Sequence, residues 1–208
     1  QRLPQVPGIA ENVEGTGTYG GQLRVFNNDL VPRGMWSTSL LRVPRDAVGQ
    51  VGNIALDYKV ADDGLSMLVY LRPGMKWSDG APFTAEDIRF MYEDIVQYTD
   101  KDGAHPRSWT ISGQVKTVTV IDEYTAELNA PSGIGTYPMQ LATWFGGYAG
   151  AYQPKHYVSQ WHIKYNPNAN EKAKEEGYTN WIDGMMHHYF WGNGVPAIDV
   201  NCPILSPW

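Results

Sequence analysis

The chain has 208 residues, 42% of them hydrophobic, 18% charged and 12% aromatic, and a formal net charge of -6. That length can bury a sizeable core as one large domain or two small ones, and so aromatic a composition excludes an intrinsically disordered chain. The negative balance argues against nucleic acid as a partner, no apolar run approaches the ~18 residues of a membrane helix, and the single cysteine, Cys202, removes intrachain disulfides and thiolate metal cages.

Residues 1 to 21 lack a basic start followed by an apolar core, so they do not read as a secretory signal. Tyr19-Gly20-Gly21 turns into Gln22–Phe26, an alternating run that predicts a strand, and Asn27-Asn28-Asp29 forms the loop after it. Leu30 to Gln50 carries Trp36 and a short helix or strand near Leu40. Asp62-Asp63-Gly64 is a hairpin signal between the strands Ala55–Val60 and Ser66–Arg72. Thr84 and Asp87 have the spacing of a capping box, and Ile88, Met91, Tyr92, Ile95 and Val96 follow on one helical face, predicting a helix over 85–98. Val115–Ile121 and Tyr124–Leu128 predict a second hairpin around Asp122-Glu123. Further helices are expected over Tyr137–Trp144, from Pro154, over Glu171–Glu176 with a stop at Gly177, and over Ile182–Tyr189.

The residue types that suggest chemistry have plain structural readings. His187 and His188 are adjacent and leave a helix on different faces; Asp183 stands one turn before His187, but no third metal ligand follows. Asp62-Asp63 and Glu86-Asp87 resemble paired acid/base carboxylates, yet a turn and a helix start account for both. Cys202 has no base partner in the sequence. Neither a metal nor a cofactor is implied.

The stretch Asn53 to Tyr92 carries a more specific pattern. It contains Asn53-Ile-Ala-Leu-Asp-Tyr-Lys-Val-Ala-Asp-Asp-Gly-Leu65, Leu71-Arg-Pro-Gly-Met-Lys-Trp-Ser-Asp-Gly80 and Pro82-Phe-Thr-Ala-Glu-Asp-Ile-Arg-Phe90. This block resembles the family 5 extracellular solute-binding proteins, the dipeptide, oligopeptide and nickel-binding components of ABC importers. Gly20-Gly-Gln-Leu-Arg24, Val115–Thr125 and Gln153-Pro-Lys-His156 extend the resemblance over most of the chain.

The resemblance implies an α/β, periplasmic-binding-protein-like fold whose first lobe bears a hairpin subdomain. Family members are longer and two-lobed, so residues 1–208 are expected to be an N-terminal lobe, with the second lobe absent from this sequence. It further implies a periplasmic or extracellular location with the signal peptide already removed, an ABC permease as membrane partner, and a peptide or oligosaccharide-like solute. Hinge closure around the solute would make or break no bond. By similarity to the family, the loop at Asn27, Asn28 and Asp29 faces the ligand. Trp36, Trp144 and Tyr148 are further candidates, because flat aromatics stack on sugars and line peptide pockets. The alternatives are a carbohydrate-active enzyme or a non-transport interaction module.

Overall fold

Both hairpins that the turn residues predict are present, and they join into one antiparallel sheet. The computed structural model describes residues 39–44, 46–97, 110–111, 114–142, 151–188 and 199–205. The short strands β1 (Leu41–Arg42) and β2 (Val51–Gly52) pair with each other. Then β3 (Ala55–Val60) turns through Asp62-Asp63-Gly64 into β4 (Ser66–Leu71). Gly64 sits at φ 69°, a conformation that favours glycine, while Asp63 Oδ1 accepts the Leu65 N–H at 2.9 Å.

After β5 (Thr110–Ile111) and β6 (Gln114–Val115), β7 (Thr117–Asp122) and β8 (Thr125–Asn129) complete the four-stranded order β3-β4-β8-β7. Met67, Val69, Leu71, Val118, Ala126 and Leu128 alternate onto one buried face. A register shift between Val120 and Asp122 leaves Ile121 exposed beside the turn.

The expected continuous strand Val115–Ile121 is corrected. Val115 pairs with Thr110 in a separate two-stranded ribbon, whereas Thr117 pairs with Asn129 in the main sheet. Lys116 lies at the crossing and is buried.

The helix α1 (Ala85–Arg89) begins where the capping box places it. Thr84 is extended at φ -136° and ψ 171°, and its N–H donates to Asp87 Oδ2 at 2.9 Å. Beyond Arg89 the expected α-helix changes: Phe90–Val96 is π-helical, and residue 98 of the expected helix lies outside the described residues. An outside donor supports the widened turn, for the Asp94 carbonyl accepts from His162 Nε2 at 3.0 Å. The apolar face expected from the spacing is buried, and Phe90 and Asp94 are buried with it. The helix packs on β7 and β8, and Ala85 N–H donates to the Glu123 carbonyl in their turn at 2.9 Å.

The remaining helices are α2 (Tyr137–Ala142), α3 (Lys155–Val158) with a 3-10 turn at Ser159–Trp161, α4 (Ala169–Glu175) and α5 (Trp181–His188). Glycine ends α4 as expected. Gly177 takes φ 90°, its N–H donates to the Lys174 carbonyl, and Tyr178 N–H returns to the Ala173 carbonyl at 2.8 Å. The α4–α5 approach is close, since a Cβ on Gly184 would lie 3.0 Å from that of Ala173. No helix among the described residues is long and apolar enough to cross a membrane.

Candidate functional site

All six residues expected at the ligand, Asn27, Asn28, Asp29, Trp36, Trp144 and Tyr148, lie outside the described residues, as does the expected strand Gln22–Phe26. The structure describes the scaffold that would carry such a site. Three buried or half-buried carboxylates organise it.

Asp87 joins the turn at Trp77, the start of α1 and the start of α3. Its Oδ2 accepts Thr84 N–H and, at 3.2 Å, the Trp77 indole N–H, while Oδ1 accepts Lys155 N–H at 3.0 Å. Burial pushes its carboxyl above the ordinary value, against the opposing pull of those three hydrogen bonds. Around it, Trp77 meets Phe83 and Tyr152 edge-to-face at centroid distances of 5.6 and 5.9 Å.

Asp94 is the second centre. Its Oδ1 accepts Lys164 Nζ at 2.6 Å, and its Oδ2 accepts Arg89 Nη2 at 3.1 Å and the Tyr165 hydroxyl. Burial opposes its charge, but bonds from Lys164 and Tyr165 and the charges of Arg89 and Lys164 hold the carboxyl below its usual range. Next to it, His162 Nδ1 accepts the Lys164 N–H at 3.1 Å while Nε2 faces the Asp94 carbonyl. Those partners require one acceptor and one donor, hence a neutral ring, and burial lowers the His162 pKa in keeping with that.

The third centre is Asp199 with His188 and Glu176. His188 Nδ1 and Nε2 lie 2.7 Å from Asp199 Oδ2 and Glu176 Oε2 respectively. The neighbouring His187 takes different partners: its Nδ1 is 2.7 Å from the Asp183 carbonyl, and its ring stacks on Tyr178. Among the described residues, no group of three or more His, Cys, Asp and Glu is arranged to hold a metal ion.

Three of the four carboxylates weighed for acid/base work, Asp63, Glu86 and Asp87, have structural partners. Glu86 Oε2 accepts Lys155 Nζ at 2.6 Å and Arg89 Nε at 3.0 Å, Asp87 is bonded as above, and Asp63 caps its turn. Cys202 is buried, its Sγ 3.8 Å from the Pro203 carbonyl. Neither Asp94 nor the His188 bridge was found from sequence. The available signal for Asp94 was a carboxylate, next to Glu93, among the apolar helix residues Met91, Ile95 and Val96.

Residues 49–184 match the family described as bacterial extracellular solute-binding proteins, family 5 Middle. The chain belongs to this family. A curated relative, a periplasmic alpha-galactoside-binding protein of Rhizobium meliloti (strain 1021), is 28% identical over 174 residues, covering 81% of this chain and 21% of the relative. Among solved structures, an oligopeptide-binding protein, OppA, superposes with a TM-score of 0.69 at 28% identity, over 84% of this chain and 26% of that one. The periplasmic binding protein MelB of Agrobacterium fabrum C58, solved in complex with stachyose, gives a TM-score of 0.56 at 24% identity over 84% of this chain and 24% of that one, a likeness of fold. This family 5 chain therefore has the mixed α/β fold of periplasmic binding proteins and spans about a quarter or less of the length of these relatives.

Proposed function

We propose that the protein is the extracytoplasmic solute-binding component of an ABC importer, and that residues 1–208 form part of its N-terminal lobe. The observation that carries this reading is the family 5 match across residues 49–184. The superposition on an oligopeptide-binding protein supports it. The solute is a peptide or an oligosaccharide; the alpha-galactoside-binding relative favours the oligosaccharide. In this reading the protein works in the periplasm or at the cell exterior, hands its solute to a membrane permease, and makes or breaks no bond in it.

The solute sits between this lobe and a second one, contacted by Asn27, Asn28, Asp29, Trp36, Trp144 and Tyr148. Aromatic faces stack on sugar or line a peptide, and Asn side chains both donate and accept. The scaffold described above is suited to that task. Its buried carboxylates are bonded to their own lobe, which keeps it rigid while loops meet the ligand.

A thermal-shift panel on the full-length protein tests the proposal. A ligand that binds only the folded state raises the melting temperature, by mass action. Alpha-galactosides such as stachyose, or peptides of two to five residues, are expected to do so as a class, and Trp144→Ala to weaken the effect. No shift with either class, or release of hydrolysed sugar, would overturn it.

A further inference from the structure

His188 closes α5 with its ring lying flat on Trp161, the centroids 3.7 Å apart and the planes 12° from parallel. Each ring nitrogen points at a carboxylate oxygen: Nδ1 at Asp199 Oδ2 and Nε2 at Glu176 Oε2, both at 2.7 Å. Both carboxylates already act as acceptors. Asp199 accepts the Tyr157 hydroxyl and, at 2.9 Å, the Asn201 N–H; Glu176 takes the Trp161 indole N–H on its two oxygens at 3.1 and 2.9 Å. An ionised carboxylate only accepts, so both ring nitrogens must donate, and only an imidazolium carries a hydrogen on each. The Asp199 carboxyl is held below its ordinary value: burial opposes its charge, but the Tyr157 and His188 hydrogen bonds prevail.

We infer that His188 is a proton-dependent pin that holds segment 199–205 against α4 and α5. With one proton lost, the ring satisfies only one of its two carboxylates. The other then faces a lone pair, and the segment loosens.

The far end of the same segment is tied to the turn after Trp77. Ser78 N–H donates to the Ile204 carbonyl at 2.9 Å, and Ile204 N–H donates to Ser78 Oγ at 3.0 Å. Next to that tie, His156 Nε2 stands 2.7 Å from Asp79 Oδ2. Each end thus has a histidine–carboxylate contact. The other described titratable groups around His188 are few. Tyr178 meets the ring edge-on at 5.8 Å, His187 stacks on Tyr178, Tyr157 acts through Asp199, and Lys172 Nζ lies 4.2 Å from the Trp161 ring centroid. This inference concerns how the lobe is held together, and it does not depend on which solute is bound.

Two measurements on the full-length protein test it. Nitrogen-15 spectra of the His188 ring at about pH 6 should show a proton on both nitrogens, unlike His162, which should show one. Hydrogen exchange, corrected for the intrinsic pH dependence of amide exchange, should show protection of 199–205 falling roughly tenfold or more between about pH 6 and pH 9, with no such fall for Ser66–Leu71. His188→Phe keeps the stack but removes both donors, so 199–205 should be poorly protected at either pH. If that variant does not fold, Asp199→Asn should lose part of the pH dependence. A singly protonated His188 at about pH 6, or equal protection of 199–205 at both pH values, overturns the inference.

Discussion

Asp87 Oδ1 accepts the main-chain N–H of Lys155 at 3.0 Å, across 68 residues of sequence. The residue that starts α1 therefore also positions α3. Among the described residues, its two oxygens accept from three N–H donors. Asp87→Asn would turn an NH2 group onto one of those donors, leaving it unpaired in a buried place. The expected loss is ~1–3 kcal/mol, read by denaturant unfolding, with altered Trp77 fluorescence as the local signal. Unchanged stability would show that the three bonds are not needed together.

Thr84→Ala is expected to be milder. It removes the hydroxyl from the capping box but keeps the main-chain N–H that Asp87 accepts. A loss of ~1 kcal/mol is expected, with solute specificity unchanged. A loss as large as that for Asp87→Asn would assign the cap to the hydroxyl.

Lys116 gives a pH dependence of definite sign. Burial lowers its pKa to about 7, and its Nζ lies 3.3 Å from the Tyr137 ring centroid and 3.4 Å from Gln140 Oε1. The unfolded chain keeps this proton up to the ordinary lysine value of about 10.4, so between these limits it binds more protons than the folded one. This group's contribution to stability therefore rises with pH from about 7 to about 10.4. Melting temperatures of wild type and Lys116→Met should differ most near pH 7, in favour of Met, and converge toward pH 10. A difference independent of pH would contradict this.

Asp94 works in the opposite range. Its lowered pKa means that its contribution is complete above the unfolded carboxylate value of about 3.9 and is lost as pH falls through the lower folded value. Asp94→Asn should destabilise the protein at neutral pH, and the gap from wild type should close in acid. Acid titrations followed by circular dichroism provide the check, and a gap that widens in acid would refute the assignment.

The parts of the fold legible in the sequence are those whose cause is local. Gly64 and Gly177 adopt the positive φ values that their turns require, and Thr84 and Asp87 lie three residues apart. The family block was readable for the same reason, being a run of such turns and caps. What was not legible depends on distant partners. The π turn at Phe90–Val96 is supported by His162, 68 residues beyond Asp94. The strand expected through Lys116 breaks because its two halves pair with different strands, a choice that alternation alone does not encode. The bridging role of His188 was not legible because Glu176 and Asp199 become its neighbours only on folding. The expected ligand residues all lie outside the described residues, so their placement stays within the proposal.

In the proposed function, this family 5 chain provides one wall of a two-walled solute site. A single wall offers about half the contacts, yet the solute still gives up its translational and rotational freedom, a loss of ~4 kcal/mol or more. Halving a micromolar binding energy of about -8 kcal/mol leaves about -4, or millimolar affinity at best. Calorimetric titration of residues 1–208 and of the full-length protein with the same alpha-galactosides and peptides is the most direct test. Micromolar or tighter binding is expected for the full-length protein, and binding no tighter than about millimolar for residues 1–208. Micromolar binding by residues 1–208 alone would mean that the site is complete within them, contradicting the two-walled account.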